Sequence, residues 1–335
     1  MLKTAFITGI TGQDGSYLTE LLLGKDYTIH AIVRRSSSTV RSRLDHITSD
    51  SSIYSKRLFL HYADLDDTTT IRRLLSKHRP DEVYHLAGQS HVGASFEIPE
   101  STCEFTAMGT LRLLEIIRDC EPMPKFAHIS SSEIFGAPAD QPQDENTPMR
   151  PVTPYGVAKA FATQMVRVYR QSFGIFACNA ICFNHESSRR GESFVTRKIT
   201  RAAALIKAGK STELFLGNIK GQRDWGFAPD YVRGFHAMLQ HSTAADFVFA
   251  TGQLHSVSDW LEIAFNHVQL DWRDYVKFDA RFSRSADPAS LVGDASTARE
   301  TLGWKSSIEF ADMVRSMVDA DRERLTETLS RGNRI

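Results

Sequence analysis

The sequence is poor in cysteine, with four among 335 residues, and it carries no formal net charge. The cysteines form no C-x-x-C pair and stand mostly in apolar surroundings, so we expect reduced thiols in a cytoplasmic protein. Lys+Arg and Asp+Glu number 40 each, so no basic field indicates nucleic acid or an anionic membrane as a partner. No apolar run approaches the roughly 20 residues that a membrane span needs. We assign no metal site, and we expect no signal peptide because a strand pattern begins at Lys3.

The chain also lacks internal repeats and Gly/Ser linkers, and apolar runs typical of strands alternate with helical patterns. Strands are predicted at residues 3–9, 27–33, 57–64, 82–88, 125–130, 176–183 and 247–252. This alternation predicts an α/β protein with a Rossmann-type, doubly wound parallel sheet. We expect residues 1–185 to form the first domain, built around this sheet, with segments from about 215–255 returning to it. Residues 186–335 should form mainly a smaller C-terminal α/β lobe that binds substrate.

A glycine-rich turn separates the first predicted strand from the first predicted helix. Gly9, Gly12 and Gly15 have the spacing G-x-x-G-x-x-G, with Gln13 and Asp14 between them. Glycines here let the backbone approach a pyrophosphate, which rests on the helix N-terminus. The strand–turn–helix context favours dinucleotide binding over a plain turn, and all five residues are predicted cofactor contacts.

The end of the second predicted strand indicates which dinucleotide binds. An enzyme that uses NAD usually has Asp or Glu there, whereas this chain has Arg34, Arg35 and Ser36. Guanidinium and hydroxyl donors suit a 2′-phosphate, so NADP is favoured over the alternative of a solvated basic turn. The other predicted cofactor contacts are Asp64, Leu65, Leu86, Gln89, Ser90, Tyr155, Lys159, His185 and Arg190.

An acid/base site is predicted where the fifth strand ends and a later helix begins. Ser131, Ser132 and Glu133 follow the strand, and Tyr155 and Lys159 stand four apart in a helical pattern. Residues four apart share one face of a helix, so the two heads can reach the same point. A nearby lysine is expected to lower the pKa of the tyrosine by favouring the phenolate.

Together these motifs resemble the short-chain dehydrogenase/reductase superfamily, in its extended, nucleotide-sugar-modifying branch. The resemblance narrows to the GDP-mannose 4,6-dehydratase family, and it runs from residue 5 to about 318 through GITGQDGSYL, SSSEIFG, PYGVAK and FNHES-RRGE-FVTRKITRA. It implies an NADP-dependent lyase that oxidises C4 of the sugar, eliminates water across C5 and C6, and returns the hydride to C6. The implied product is GDP-4-dehydro-6-deoxy-D-mannose.

The resemblance also implies roles for individual residues. Tyr155 would take the proton from O4, Glu133 would take the C5 hydrogen, Ser131 would hold O4, and Lys159 completes the catalytic set. The implied contacts to the GDP-sugar are Ser90, Ser132, Glu133, Asn184, Glu186, Val195, Lys198, Leu216, Gly217, Asn218, Arg223, Arg281 and Arg284. A homotetramer is implied, with a dimer as the alternative.

Several positions depart from the family pattern. Ser131 replaces a threonine, Phe135 a tyrosine, and Ser188 and Ser285 each replace a proline. Some of them border the implied sugar pocket, so dehydration of another GDP-sugar, a heptose or an N-acetylhexosamine, stays open. A nucleotide-sugar epimerase or 4-reductase and a cofactor-binding regulator without turnover are the rival functions. A plain reductase needs no carboxylate at Glu133, and a regulator would be expected to have lost a catalytic residue.

Overall fold

The computed structural model describes residues 2–35, 42–138, 141–282 and 290–332, so Ser36 and Arg284 lie outside the described residues. Its strands are β1 (Thr4–Thr8), β2 (Thr28–Val33), β3 (Leu58–Tyr62), β4 (Glu82–His85), β5 (Lys125–Ile129), β6 (Ala177–Cys182), β7 (Asn184–Glu186), β8 (Leu214–Leu216), β9 (Gln222–Phe227), β10 (Asp246–Phe249), β11 (Leu254–Ser256) and β12 (Val276–Phe278). Its helices are α1 (Gln13–Gly24), α2 (Asp45–Thr48), α3 (Thr68–His78), α4 (Ala94–Glu97), α5 (Pro99–Cys103), α6 (Gly109–Arg118), α7 (Pro154–Phe173), α8 (Val195–Lys207), α9 (Ala228–Gln240), α10 (Val257–His267), α11 (Ser296–Leu302) and α12 (Phe310–Gly332).

Seven of these strands form one parallel sheet, in the order β10-β6-β5-β4-β1-β2-β3. They correspond to the seven predicted strands, so the predicted doubly wound fold is confirmed. Parallel strands need crossovers, and the intervening helices supply them. Because all seven run the same way, the residues that follow β1, β2, β4 and β5 meet at one edge of the sheet, where ligands bind in such folds.

Apolar side chains pack on both faces of this sheet. Helices α1 and α9 cover one face, with Leu18, Leu22 and Phe235 in the buried cluster. Helices α3, α6 and α7 cover the other face, and the buried cluster there includes Ile71 and Leu114. Burial on both sides explains why the strands read as continuous apolar runs rather than alternating patterns.

A second apolar cluster lies between α8, α10 and α12, with Trp260 and Met317 fully buried in it. It packs beside a small sheet of β11, β9 and β7 and beside the β8–β12 pair. Helix α10 has a serine cap, since Ser256 Oγ accepts from Asp259 N at 3.1 Å. None of the helices in the described part of the chain has the length and apolar character that crossing a membrane requires.

The long C-terminal helix α12 starts at Phe310, a short distance after Ser307. Ser307 donates from its backbone N to Asp230 Oδ2 at 2.7 Å, and its hydroxyl donates to Asp230 Oδ1 at 2.6 Å. The buried carboxylate on α9 therefore holds this residue outside the helix.

Candidate active site

The loop after β5 carries three of the predicted site residues. Ser131 caps a single 3-10 turn, Ser132–Ile134, and its hydroxyl accepts from the backbone N of Glu133 at 3.3 Å. Ser132 and Glu133 are both buried, with 3% and 9% of their surfaces exposed. This cap holds the backbone of the turn in place, and with it the position from which the Glu133 side chain extends.

Helix α7 carries the other two predicted catalytic residues against this turn. It begins at Pro154, and the hydroxyl of Thr153 caps it by accepting from Gly156 N at 3.0 Å. A Cβ at Gly156 would lie 2.6 Å from the carbonyl oxygen of Glu133, so only glycine permits this approach. Tyr155 is consequently close enough to form a side-chain hydrogen bond with Ser131.

Burial dominates the ionisation of both helix residues. It raises the pKa of Tyr155 to about 12, although the hydrogen bond from Ser131 opposes the rise. Burial also lowers the pKa of Lys159 to about 8, and the ammonium donates to the carbonyl oxygen of Ile129 at 2.5 Å. The expectation that Lys159 lowers the pKa of the phenol is therefore not met in this structure. The cost of burying the phenolate has the largest effect on this pKa, and the main opposing interaction comes from Ser131.

The glycine-rich turn leads from β1 into α1 as predicted. Gly9 has a positive φ of 78°, and a Cβ there would lie 2.7 Å from Ala87 N. A Cβ at Gly15 would lie 2.3 Å from the carbonyl oxygen of Gly9 and 2.6 Å from Ile10 Cα. Both glycines are thus required for the turn to fold tightly before the N-terminus of α1, which is where a pyrophosphate would bind.

A buried ion pair links this turn to the segment after β6. Asp14 on α1 meets His185 on β7, with 2.9 Å between Oδ2 and Nε2. Burial opposes ionisation of both groups, yet their mutual attraction lowers the pKa of Asp14 and raises that of His185. Gln13 donates to the carbonyl oxygen of His185 at 3.1 Å, and the Ser187 hydroxyl donates to Gln13 Oε1 at 2.8 Å.

A second buried pair continues this network. Arg190 Nε lies 3.1 Å from Glu186 Oε2, and the guanidinium stacks 3.7 Å from the centre of the Phe194 ring. The Thr196 hydroxyl also donates to Glu186 Oε2 at 2.7 Å. Burial nevertheless raises the pKa of Glu186 above its ordinary value. The predicted cofactor contacts His185 and Arg190 and the predicted substrate contact Glu186 therefore belong to one connected group.

Comparison with known proteins identifies the family. A profile described as GDP-mannose 4,6 dehydratase matches residues 6–317. The Arabidopsis thaliana protein named GDP-mannose 4,6 dehydratase 2 is 51% identical over 326 residues, which cover 96% of this chain and 87% of that protein. The chain belongs to the GDP-mannose 4,6-dehydratase family. The resemblance predicted from the sequence motifs is thereby confirmed.

Solved structures with lower identity share the fold of this family member. DesIV, the dTDP-glucose 4,6-dehydratase from Streptomyces venezuelae with NAD bound, aligns with a TM-score of 0.85 and 22% identity over 97% of this chain and 98% of that one. RMD from Pseudomonas aeruginosa, complexed with NADPH, aligns with a TM-score of 0.79 and 24% identity over 97% of this chain and 99% of that one. At these identities the likeness supports the Rossmann-type architecture alone.

The remaining predicted cofactor contacts of this dehydratase-family chain lie along the same sheet edge. Arg34 and Arg35 are exposed directly after β2. Leu65 is buried beyond β3, where its backbone N donates to Asp64 Oδ1 at 2.8 Å. Beyond β4, Gln89 donates to the carbonyl oxygen of His91 at 2.8 Å. Leu86 is partly buried in that segment and Ser90 is exposed.

Seven further predicted GDP-sugar contacts lie on four segments outside the large sheet. Asn184 lies on β7, Val195 and Lys198 lie on the first turn of α8, and Arg223 lies on β9. Leu216 ends β8 and is followed by buried Gly217 and exposed Asn218.

Arg281 is the predicted substrate contact whose position fits its role least. Asp279 N donates to the carbonyl oxygen of Leu216 at 2.8 Å, so the segment that carries Arg281 does reach the end of β8. The Arg281 side chain is, however, 86% exposed and donates to Asp279 Oδ2 at 2.7 Å. Its charge is thus already paired in the structure, and the remaining diphosphate candidate of that segment, Arg284, is not described.

Sequence reasoning missed one residue that organises the family's glycine turn. Arg43 donates to the carbonyl oxygen of Thr11 at 3.1 Å and to that of Arg189 at 2.7 Å. It therefore ties the turn to the basic segment after β7. Burial, followed by repulsion from neighbouring arginines, lowers the pKa of Arg43. No local motif marks this residue, because its partners are distant in sequence.

Proposed function

We propose that this protein is an NADP-dependent GDP-mannose 4,6-dehydratase that forms GDP-4-dehydro-6-deoxy-D-mannose. The observation that carries the proposal is the buried carboxylate of Glu133 on the same turn as Ser131, with Tyr155 packed against that turn. A reductase or epimerase of this fold requires the hydroxyl groups but not the carboxylate. Family membership supports the same reaction.

Each of these groups has a distinct task in the proposed reaction. Tyr155 accepts the proton of the sugar O4, and the Ser131 hydroxyl stabilises the phenolate that must form first. Glu133 then removes the C5 proton, which the neighbouring ketone at C4 has made acidic, and Ser132 assists near the C6 hydroxyl. Lys159, whose ammonium donates to the carbonyl oxygen of Ile129 at the end of β5, would hold the nicotinamide ribose. NADP⁺, when bound, supplies reversible hydride acceptance, so no external reductant is consumed.

The residues around the glycine turn fit this cofactor. The turn has no room for side chains at Gly9 and Gly15, as a close-packed pyrophosphate site requires. Solved neighbours carry NADPH in one case and NAD in another, so the fold does not choose between the two. The exposed Arg34 and Arg35 favour the 2′-phosphate of NADP, because an acidic residue would repel it.

Cofactor choice is tested by titrating the protein with NADP⁺ and NAD⁺ while following tryptophan fluorescence. We expect tighter binding of NADP⁺, and a loss of at least about tenfold in Arg35→Ala, since a charge-assisted hydrogen bond contributes about 1.5–3 kcal/mol. Affinity for NAD⁺ should stay unchanged in that variant. Equal binding of the two cofactors by the unmodified protein would contradict the choice of NADP.

The reaction itself is tested by mass spectrometry of the protein incubated with GDP-mannose and no added reductant. We expect a product lighter by one water. The Glu133→Gln variant should retain some C4 oxidation but lose exchange of the C5 hydrogen with deuterated solvent, whereas the matched surface variant Glu192→Gln should behave like the unmodified protein. Normal turnover by Glu133→Gln would show that the base is misassigned. An unchanged GDP-mannose, with GDP still protecting against heat, would direct the search to a GDP-heptose or a GDP-N-acetylhexosamine.

The proposed assembly is a homotetramer, with a dimer as the alternative. Helix α7 supports it, because Val157, Phe161 and Val168 are 50%, 39% and 45% exposed although they are apolar. Contiguous exposed apolar side chains mark interaction surfaces. We expect Phe161→Glu to lower the mass measured by light scattering, and Phe278→Glu, at a 72% exposed position, to leave it unchanged.

A cytoplasmic location is proposed as well, supported by four free cysteines.

A further inference from the structure

Three histidines meet on the face of the large sheet that α3 covers. His30 lies on β2, His61 on the edge strand β3, and His78 is the last residue of α3. Each offers a ring nitrogen, and these nitrogens all lie within 4.8 Å of one another. His30 Nδ1 and His61 Nε2 form a hydrogen bond with 3.0 Å between the two nitrogens. We call His30, His61 and His78 the histidine cluster; none of them is among the residues proposed to bind cofactor or substrate.

A metal ion could replace the hydrogen bond between His30 and His61, if the proton of that bond moved to the other nitrogen of its ring. Nε2 of His78 is buried and has no hydrogen-bond partner, although buried polar atoms normally find one. Burial lowers the pKa of all three side chains, that of His30 to about 4, so they are neutral at pH 7. Neutral imidazole is the form that coordinates metal ions.

We propose that the histidine cluster binds a divalent transition-metal ion of the zinc class, with three imidazole ligands and a fourth position filled by water. Ligand nitrogens in a tetrahedral zinc site lie about 2.0–2.1 Å from the metal and hence about 3.4 Å apart. The His30–His61 pair has nearly this spacing. The His78 ring is stacked on the His30 ring, with 3.7 Å between their centroids, so His78 would have to turn out of this stack to bring its nitrogen to the same spacing.

The chemistry of the surroundings selects the ion. Three nitrogen donors favour zinc, nickel, copper or cobalt over magnesium and calcium, which prefer oxygen ligands. Apart from the three histidines, the charged side chain that lowers all three pKa values is Lys77, which is exposed on α3. A bound ion would join β2, β3 and α3, which stabilises the strand that carries Arg34 at its end.

The experiment uses the full chain without an affinity tag, after treatment with a chelator. ZnCl₂, CoCl₂ and MgCl₂ are titrated while thermal unfolding is followed, and bound zinc is counted by elemental analysis. We expect one zinc ion per chain and a higher melting temperature with zinc but not with magnesium. His61→Gln and His78→Gln should weaken zinc binding at least about tenfold, as loss of even an outer-shell partner does. His46→Gln, at an exposed histidine paired with Glu20, is the matched control and should leave binding unchanged.

Visible absorption of the cobalt-loaded, unmodified protein gives a second test that needs no variant. Cobalt bound by three nitrogen ligands at low coordination number should give d–d absorption bands. Added zinc should displace the cobalt and abolish these bands. Absence of such bands, together with no retained zinc, would overturn the proposal and leave the cluster as a packed stack of neutral histidines. Zinc binding that the cluster variants and the His46 variant share equally would overturn it too. Neither outcome bears on dehydratase turnover, so this proposal stands or falls separately.

Discussion

Replacement of Ser131 by alanine separates two tasks of one hydroxyl group. The hydroxyl accepts from Glu133 N at 3.3 Å, and its hydrogen bond with Tyr155 opposes the rise in the pKa of that phenol, which burial causes. A hydrogen bond to a charged group contributes about 1.5–3 kcal/mol. Each 1.4 kcal/mol, approximately, is a factor of ten in rate, so we expect kcat of Ser131→Ala to fall about 10–100-fold at neutral pH.

The pH dependence of kcat identifies which of the two tasks is responsible. Burial raises the pKa of Tyr155 to about 12, so the phenolate that acts as base becomes more abundant as pH rises towards that value. Loss of the Ser131 hydrogen bond raises this pKa further. The rising part of the profile should therefore move to higher pH in Ser131→Ala and return in Ser131→Thr, which keeps the hydroxyl.

A neighbouring serine provides the control. The Ser130 hydroxyl forms a hydrogen bond with Thr163 Oγ1 at 2.6 Å. It is not among the groups that shift the pKa of Tyr155. Ser130→Ala should cost about 1 kcal/mol of stability, the net contribution of an ordinary hydrogen bond, and keep kcat. Loss of the cap in Ser131→Ala should cost a similar amount, about 0.5–2 kcal/mol. An unchanged kcat in Ser131→Ala, or an equal loss in both variants, would refute the proposed link between Ser131 and Tyr155.

Two further predictions concern the glycine turn. Gly15→Ala places a methyl group 2.3 Å from the carbonyl oxygen of Gly9, so overpacking should cost about 1–3 kcal/mol of stability and weaken NADP⁺ binding in a fluorescence titration. Gly24→Ala, where the added group meets nothing within 4 Å, should change neither. Asp14→Asn breaks the buried pair with His185 and should cost about 3 kcal/mol, the lower end for such pairs because the histidine can lose its proton. The stability that Asp14 supplies is lost as pH falls through its lowered pKa, and that of His185 is lost as pH rises through its raised pKa. Urea unfolding of Asp14→Asn should thus differ most from the unmodified protein between about pH 4 and pH 6.5 and match it more closely outside that range.

The sequence by itself determined the features that depend on neighbours along the chain. Apolar runs bounded by turn residues predicted the seven strands of the large sheet. Strands buried on both faces are continuous apolar runs, so they can be recognised from the local sequence. The spacing of Gly9, Gly12 and Gly15 and the four-residue separation of Tyr155 and Lys159 are likewise local, and the motifs that contain them indicated the family.

The tertiary structure alone decided which distant residues meet and how burial changes their chemistry. Asp14 and His185 are 171 residues apart, and nothing in either motif indicates that they form an ion pair. The same holds for the histidine cluster, which three separate elements assemble. Arg281 matches a family position, yet its side chain pairs with Asp279 on the surface. Lys159 was expected to control the pKa of Tyr155, but that pKa depends on the free energy of burying a charge, which is a property of the folded environment rather than of residue spacing.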